Sequence, residues 1–181
     1  MLHFIYTQPL SRVIIIMAIA IAIWGYTRSK LYGKKWNIVN ALLACGMVVA
    51  ILGITIFGRT AGERILILKP FASLTVARTQ SEAYRELLMN IFLFFPFGLT
   101  LSNALPQSWG RWRRIGLTVI TGLLLSAGIE YIQYRFALGV AETDDVICNT
   151  LGTFIGSTSL LIAHGIEKYN EKTIKHDSNK N

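Results

Sequence analysis

The sequence predicts an all-α bundle of about five helices crossing a membrane, and three observations carry that expectation. Of its 181 residues, 52% are hydrophobic and only 15% are charged. A soluble globule holds about 45–50% apolar and about 25% charged residues. The apolar residues also lack the spacing of a surface helix: they fall in blocks long enough to cross a bilayer, which takes roughly 20 helical residues. Finally, the positive charge is gathered in the short segments between those blocks, where membrane topology places it.

The first span is expected over 10–26. Its apolar core, 13–23, has the look of a secretory signal, but no A-x-A cleavage site follows. The chain runs instead into Arg28, Lys30, Lys34 and Lys35, the reverse of a cleavable signal's charge order, so the segment reads as a retained helix. The second span is expected over 39–57. A longer loop, 58–78, then carries Arg59, Glu63, Arg64, Lys69 and Arg78. Its apolar run 65–68 is far too short to span and is expected to lie in the interface or to dip back among the helices.

Ahead of the third span, Thr79-Gln80-Ser81-Glu82 fits a capping box, in which the Thr side chain satisfies an orphan N–H and the Glu reaches back. This helix is expected to enter the membrane near Leu87 and to run to about Leu105, with Pro96 inside it. A bundle tolerates that proline where neighbours take over the freed backbone group. The fourth span is expected over 115–134 and the fifth over 146–164. Residues 1–166 thus form one transmembrane domain, and 167–181 a polar tail expected to be partly disordered.

Orientation follows from Lys and Arg. With five spans, the 27–37 loop, the 106–114 loop and the tail share one side, which holds eleven of the eighteen basic residues; the other side holds seven, together with Glu63, Glu82 and Glu86. The positive-inside rule then places the N-terminus outside and the C-terminus, with the tail, in the cytoplasm. The same distribution accounts for the net charge of +8 without nucleic acid. Cys45 lies in the middle of one apolar block and Cys148 near the start of another. Such different depths speak against a disulfide, whose Cα atoms must lie within about 7 Å.

Ionisable groups inside spans are costly, about 2.5–3.5 kcal/mol at a helix centre, and so need a reason. Glu86 and Asn90 lie four apart at the start of the third helix, on one face. Arg85 stands beside them. Glu130 and Gln133 lie three apart near the end of the fourth. Asp145 and Asn149 lie four apart at the start of the fifth, after Glu142 and Asp144. On this topology all lie at one depth, toward the outside. From each pair a stripe of small residues continues inward: Gly98 and Ser102 from Asn90, Ser126 and Gly122 from Glu130, Gly152 and Gly156 from Asn149. Small residues at i, i+4 let backbones approach closely. The expected picture is three helices packed on small stripes and opening outward into an acidic cluster. Its nearest cations are Arg85 and Arg135.

Taken in order, Arg85-Glu86-x-x-x-Asn90, Phe95-Pro96-Phe97-Gly98, Glu130-x-x-Gln133 and Glu142-Thr143-Asp144-Asp145-x-x-x-Asn149-Thr150-x-Gly152 resemble the VanZ family. The earlier Leu68-Lys69-Pro70-Phe71 is similar to that family's loop before the third helix. The resemblance covers roughly residues 66–160. Two positions depart: Glu142 stands where members commonly carry Asp, and Gly139 where many place Arg. The resemblance implies a multi-pass protein of the bacterial cytoplasmic membrane, linked to lowered susceptibility to teicoplanin-type lipoglycopeptide antibiotics.

Two functional readings follow. In the first, a non-enzymatic protein binds or excludes the lipoglycopeptide, or a lipid-linked peptidoglycan precursor, at the outer leaflet. Its acidic cluster, mostly acceptors, suits amines and sugar hydroxyls, and it needs no cofactor. In the second, a membrane-embedded enzyme acts on a lipid-linked envelope substrate, with Glu130, Glu142, Asp144 and Asp145 holding Mg²⁺ or Mn²⁺ and one carboxylate acting as general base. His3, His164 and His176 lie toward the chain ends, away from the cluster.

Overall fold

A computed structural model describes residues 10–31, 33–57, 59–77 and 79–178. Its elements are α1 (Leu10–Lys30), α2 (Lys34–Leu52) continuing as a π-helical turn (Gly53–Phe57), β1 (Arg64–Ile67), α3 (Ala72–Ala77), α4 (Ser81–Ala104), α5 (Arg111–Phe136), β2 (Gly139–Glu142), α6 (Thr143–Ser157) and α7 (Ser159–Ser178). Among the described residues, five helical stretches are long and apolar enough to cross a membrane: Arg12–Lys30, Lys34–Phe57, Ser81–Ala104, Arg111–Phe136 and Thr143–Asn170. Several apolar blocks are rich in β-branched residues, which favour strands in water. In hydrocarbon every backbone N–H and C=O must find its partner within the segment, and that requirement makes them helices. Each helix also runs a few residues past its apolar block, because extending a helix already formed needs no new nucleus.

α4 is the central helix. Phe95 on one of its faces packs with Val13 and Met17 of α1, while Phe94 and Phe97 pack with Ile51 of α2 and Ile129 of α5. The outward faces are apolar too: Leu42, Val49 and Leu124 are each about two-thirds exposed or more. Such a belt on a soluble monomer would drive aggregation; around a bundle of spanning helices it meets lipid.

Small residues form the seam between α4, α5 and α6. A Cβ added at Gly152 would overlap the backbone of Ile91, one at Gly156 the Phe95 carbonyl and the Leu99 N–H, and one at Gly98 the backbone of Thr153. On α5, a Cβ at Gly122 would overlap the Thr153 side chain. The three helices therefore approach at backbone contact, with α6 crossing α4 beside Pro96.

The structure differs from expectation in three places. First, the apolar run 65–68 overlaps β1, which pairs in parallel with β2 in the register Arg64↔Gly139, Ile65↔Val140, Leu66↔Ala141, Ile67↔Glu142. Second, the Thr79 capping box does not form. Thr79 Oγ1 donates to the Val76 carbonyl at 3.1 Å and closes α3, while Gln80 stands at the N-cap of α4 with no side-chain cap. Third, the fifth span is divided between α6 and α7 at Thr158. There Ser157 and Thr158 hydroxyls both donate to backbone carbonyls one turn back, to Phe154 and Ile155 at 2.7 Å, and compete with the helix ladder. α7 then continues to Ser178, so most of the expected tail is helical. A helix already running extends through residues such as Glu and Lys without a new nucleus. Gly58, Arg78 and 179–181 lie outside the described residues.

Candidate functional site

At one end of the bundle, four elements deliver acidic side chains. The end of α5 brings Glu130, β2 brings Glu142, the first turn of α6 brings Asp144 and Asp145, and α4 brings Glu86 with Asn90 one turn on. The two-stranded pairing sets their arrangement. β1 hangs the segment after α2 alongside β2, and the short bonds around it fix β2 against the helices. The Glu142 N–H donates to Glu130 Oε2 at 2.9 Å, the Gly62 N–H to the Ala137 carbonyl at 2.7 Å, and Arg59 Nη1 to the Leu138 carbonyl at 3.2 Å.

Beside this scaffold is a half-open cavity of about 340 Å³. Its polar lining is Arg59, Glu86, Asn90, Glu142, Asp145 and Thr55, and its apolar lining includes Met89, Leu93 and Val140. Asn90 Nδ2 donates to Asp145 Oδ1 at 2.5 Å, tying α4 to α6 at the cavity wall. Three carboxylates therefore face one guanidinium. The arrangement is acceptor-rich, with net negative charge, and fits ammonium groups and hydroxyls better than anions.

The VanZ/LLP1 family pattern matches residues 13–164, from the first helix to the fifth span. The chain belongs to the VanZ/LLP1 family. Over 94 residues it is 36% identical to Protein VanZ of Enterococcus faecium. That stretch is 52% of this chain and 51% of the relative, so the match spans about half the length of the curated protein. No solved structure matches the chain. The family pattern reaches back through α1 and α2, where the sequence offers no distinctive motif, so these helices belong to the VanZ architecture and not to an appended anchor.

Within this VanZ-family end, the nine polar residues singled out from the sequence separate by position. Glu86, Asn90, Glu142 and Asp145 line the cavity. Glu130, buried, holds the β2 backbone. Asp144, also buried, accepts the N–H groups of Phe71 at 2.5 Å and Ser73 at 2.8 Å and so clamps the start of α3. Glu142 Oε2 accepts from Ser73 Oγ at 2.5 Å on the same clamp. Gln133 donates to the Thr55 carbonyl at 3.0 Å, which the π-helical turn presents, and Asn149 donates to Ser126 Oγ at 2.9 Å deeper in the bundle. Arg85 is exposed on α4 and Arg135 is exposed over the Phe136 ring, with 5.9 Å to its centroid.

Neither arginine named from the sequence lines the cavity; Arg59 does. Its guanidinium lies against Gly139, where a Cβ would collide with Nη1. Gly139 has φ +117°, a conformation that resists any side chain. The space that a side chain at 139 would take is held in this chain by Arg59, from the segment before β1. The signal for Arg59 in the sequence was its place directly after a span, which is indistinguishable from an ordinary interfacial anchor. Among the described residues, no three His, Cys, Asp or Glu side chains are grouped to hold a metal ion.

Proposed function

We propose that this chain lowers susceptibility to teicoplanin-type lipoglycopeptides by binding part of the drug, or of a lipid-linked wall precursor, in the acidic cavity at the outer leaflet of a bacterial cytoplasmic membrane. The observation that carries this reading is the convergence of Glu86, Glu142 and Asp145 on one half-open cavity with Arg59. An ammonium about 4 Å from a carboxylate near a protein surface gains about 4 kcal/mol, so three acids against one arginine select for amines and polyols. Arg59 keeps the acids from mutual repulsion and offers a donor to a hydroxyl or carbonyl of the same ligand.

Size limits what enters. A cavity of about 340 Å³ lies at the low end of small-molecule sites, which run about 300–1,000 Å³. It holds one amine-bearing or sugar-bearing part of a glycopeptide, not the whole molecule. The remainder lies along the β1–β2 edge and the exposed loop beside it. No metal or other cofactor is required for recognition of this kind.

The test uses Asp145→Asn and Glu86→Gln. Both keep size and an acceptor oxygen, so Asn90 retains its partner, but both remove charge. In cells expressing each variant at wild-type abundance, resistance to teicoplanin falls. Calorimetry on purified protein, titrated in turn with teicoplanin, vancomycin, a lipid-linked precursor and Mg²⁺, shows weakened binding of whichever amine- or sugar-bearing ligand the wild type takes. Full resistance with both variants at normal abundance overturns the acidic-site reading. Product release from the precursor would place the chain among enzymes instead.

A further inference from the structure

The opposite end of the bundle, where α1 ends and α5 begins, holds a second polar cavity remote from the acidic one. It measures about 170 Å³. Three arginines line it: Arg28 from the last turn of α1, and Arg111 and Arg114 from the first turn of α5, the Arg111 guanidinium also lying over the Trp112 ring at 6.0 Å to its centroid. Among the described residues its single carboxylate is Glu167 of α7, which is exposed. His164, Gln107 and Trp109 complete the rim.

Two of these arginines are buried as interfacial anchors are not. Arg28 is 7% exposed and Arg114 is 4% exposed. An arginine that merely anchors a span sends its head group to water. Arg114 donates from Nε and Nη2 to the Ser102 carbonyl at 3.1 and 2.6 Å, which leaves the Nη1 pair of donors for another acceptor. Arg28 Nη1 donates to the Gln107 side-chain carbonyl when that amide is turned so that it also accepts the Gly33 N–H at 2.7 Å. The two arginines line the same small cavity, with Glu167 as the carboxylate beside both. Buried like charges beside one exposed carboxylate are costly unless an anion meets them.

We propose that this cavity is an anion site that takes a phosphoryl group, with Arg28, Arg111 and Arg114 as its ligands. The planar guanidinium fork matches the oxygens of a phosphate in pairs, and Arg28 and Arg114, both buried, with Arg111 on the rim, place such forks around one small cavity. The volume suits a phosphoryl group with its ester oxygens and excludes a whole phospholipid, whose chains would run over the exposed apolar face of α1. The depth is that of headgroups. Lys30 sits over the Tyr26 ring and Arg113 over the Trp109 ring, with 5.9 and 4.4 Å to the centroids, a belt of the kind found at the membrane–water boundary. Basic pockets between spanning helices at that boundary bind phospholipid headgroups. The phosphoryl group can come from an anionic lipid or from free phosphate, and the experiment distinguishes them.

The full chain, purified and reconstituted in phosphatidylcholine, is titrated with phosphatidylglycerol and separately with inorganic phosphate. Thermal melting and the lipid retained in native mass spectrometry are the readouts. Wild type retains phosphatidylglycerol in preference to phosphatidylcholine, and its melting temperature rises with it. Arg111→Gln and Arg28→Gln each weaken retention about tenfold, as loss of one charged hydrogen-bonding group does. Glu167→Gln strengthens retention, because it removes the competing negative charge; a purely structural role for the arginines does not give that sign. Arg111 and Glu167 are less buried than Arg28, so their variants read the site even if Arg28→Gln fails to fold. A rise in melting temperature with inorganic phosphate that also displaces the lipid assigns the site to free phosphate. A response to phosphatidylglycerol alone assigns it to the lipid. Equal retention of the two lipids with no response to phosphate overturns the proposal, as does wild-type behaviour in both Arg111→Gln and Glu167→Gln.

Discussion

Asp144 and Asp145 are adjacent in the chain, but helical geometry turns their side chains about 100° apart, and the consequence is two unrelated roles. Asp145 faces the cavity with Asn90 as its partner. Asp144 faces inward and accepts two backbone N–H groups from a segment that precedes it by about seventy residues. One of those belongs to Phe71, whose φ of 63° is unusual for a bulky residue and is held by this clamp. Asparagine at 144 keeps one acceptor and presents an NH₂ to the second N–H, so one bond is lost and a buried donor is stranded. Asp144→Asn is expected to cost about 2 kcal/mol and to lower the melting temperature of purified protein, with faster proteolysis at 64–77. Asp145→Asn, which strands no backbone group, melts close to wild type. Equal melting of the two variants would show that the clamp does not hold the segment. Nothing in the sequence distinguishes the two acids before the helix phase and the position of the 64–77 segment are known.

At the scale of elements, the glycine seam makes sharper demands than small size alone. Gly152 and Gly156 face the α4 backbone, and Gly98 faces the backbone of Thr153 in α6, so even a methyl group is excluded. Gly116 and Gly128 of α5 have open space where a Cβ would stand. Gly152→Ala and Gly156→Ala should therefore each cost about 1–3 kcal/mol, the usual penalty of overpacking, and the Leu variants more. Gly116→Ala and Gly128→Ala should hold or raise the melting temperature, since alanine is the better helix former. A thermal-shift assay across the four alanine variants checks this, and uniform melting would mean that α6 does not touch α4 along the seam. The seam was legible because its spacing of three and four residues repeats along α4, α5 and α6. The β1–β2 pairing was not. Four residues carry too little periodicity to be told from a loop, and the partner strand lies some seventy residues away, beyond any local signal. The failed Thr79 cap has a local cause instead: the same hydroxyl donates to the Val76 carbonyl and so serves the helix before it.

For the whole molecule, the bundle separates charge by end. Carboxylates gather where α4, α5 and α6 meet the strand pair, and buried guanidiniums gather where α1, α5 and α7 meet. The apolar blocks pointed to about five spans, and five helices among the described residues are long and apolar enough to cross, because hydrocarbon leaves the backbone few alternatives to a helix. Which end faces the cytoplasm is a separate question, resting on eleven basic residues against seven. Several of these now have structural duties: Arg114 is bonded to the Ser102 carbonyl and Arg59 to the Leu138 carbonyl. Arginines held within the fold contribute to orientation during insertion all the same, because the rule acts on the nascent loops. With Cys45 and Cys148 both replaced by Ala, single cysteines can be read by a membrane-impermeant maleimide in intact cells. Ala61→Cys, in the exposed segment before β1, is the better outer probe than a change at Gly139, whose backbone conformation and Arg59 contact forbid a side chain. Ala61→Cys is expected to label in intact cells, whereas Lys30→Cys and Lys172→Cys label only after permeabilisation. The reverse pattern would put the acidic cavity in the cytoplasm, where an antibiotic acting outside the membrane does not reach it. It would also move the arginine-lined cavity to the outer leaflet. The labelling result therefore decides whether recognition of an extracellular drug is physically available to this fold before any binding is measured.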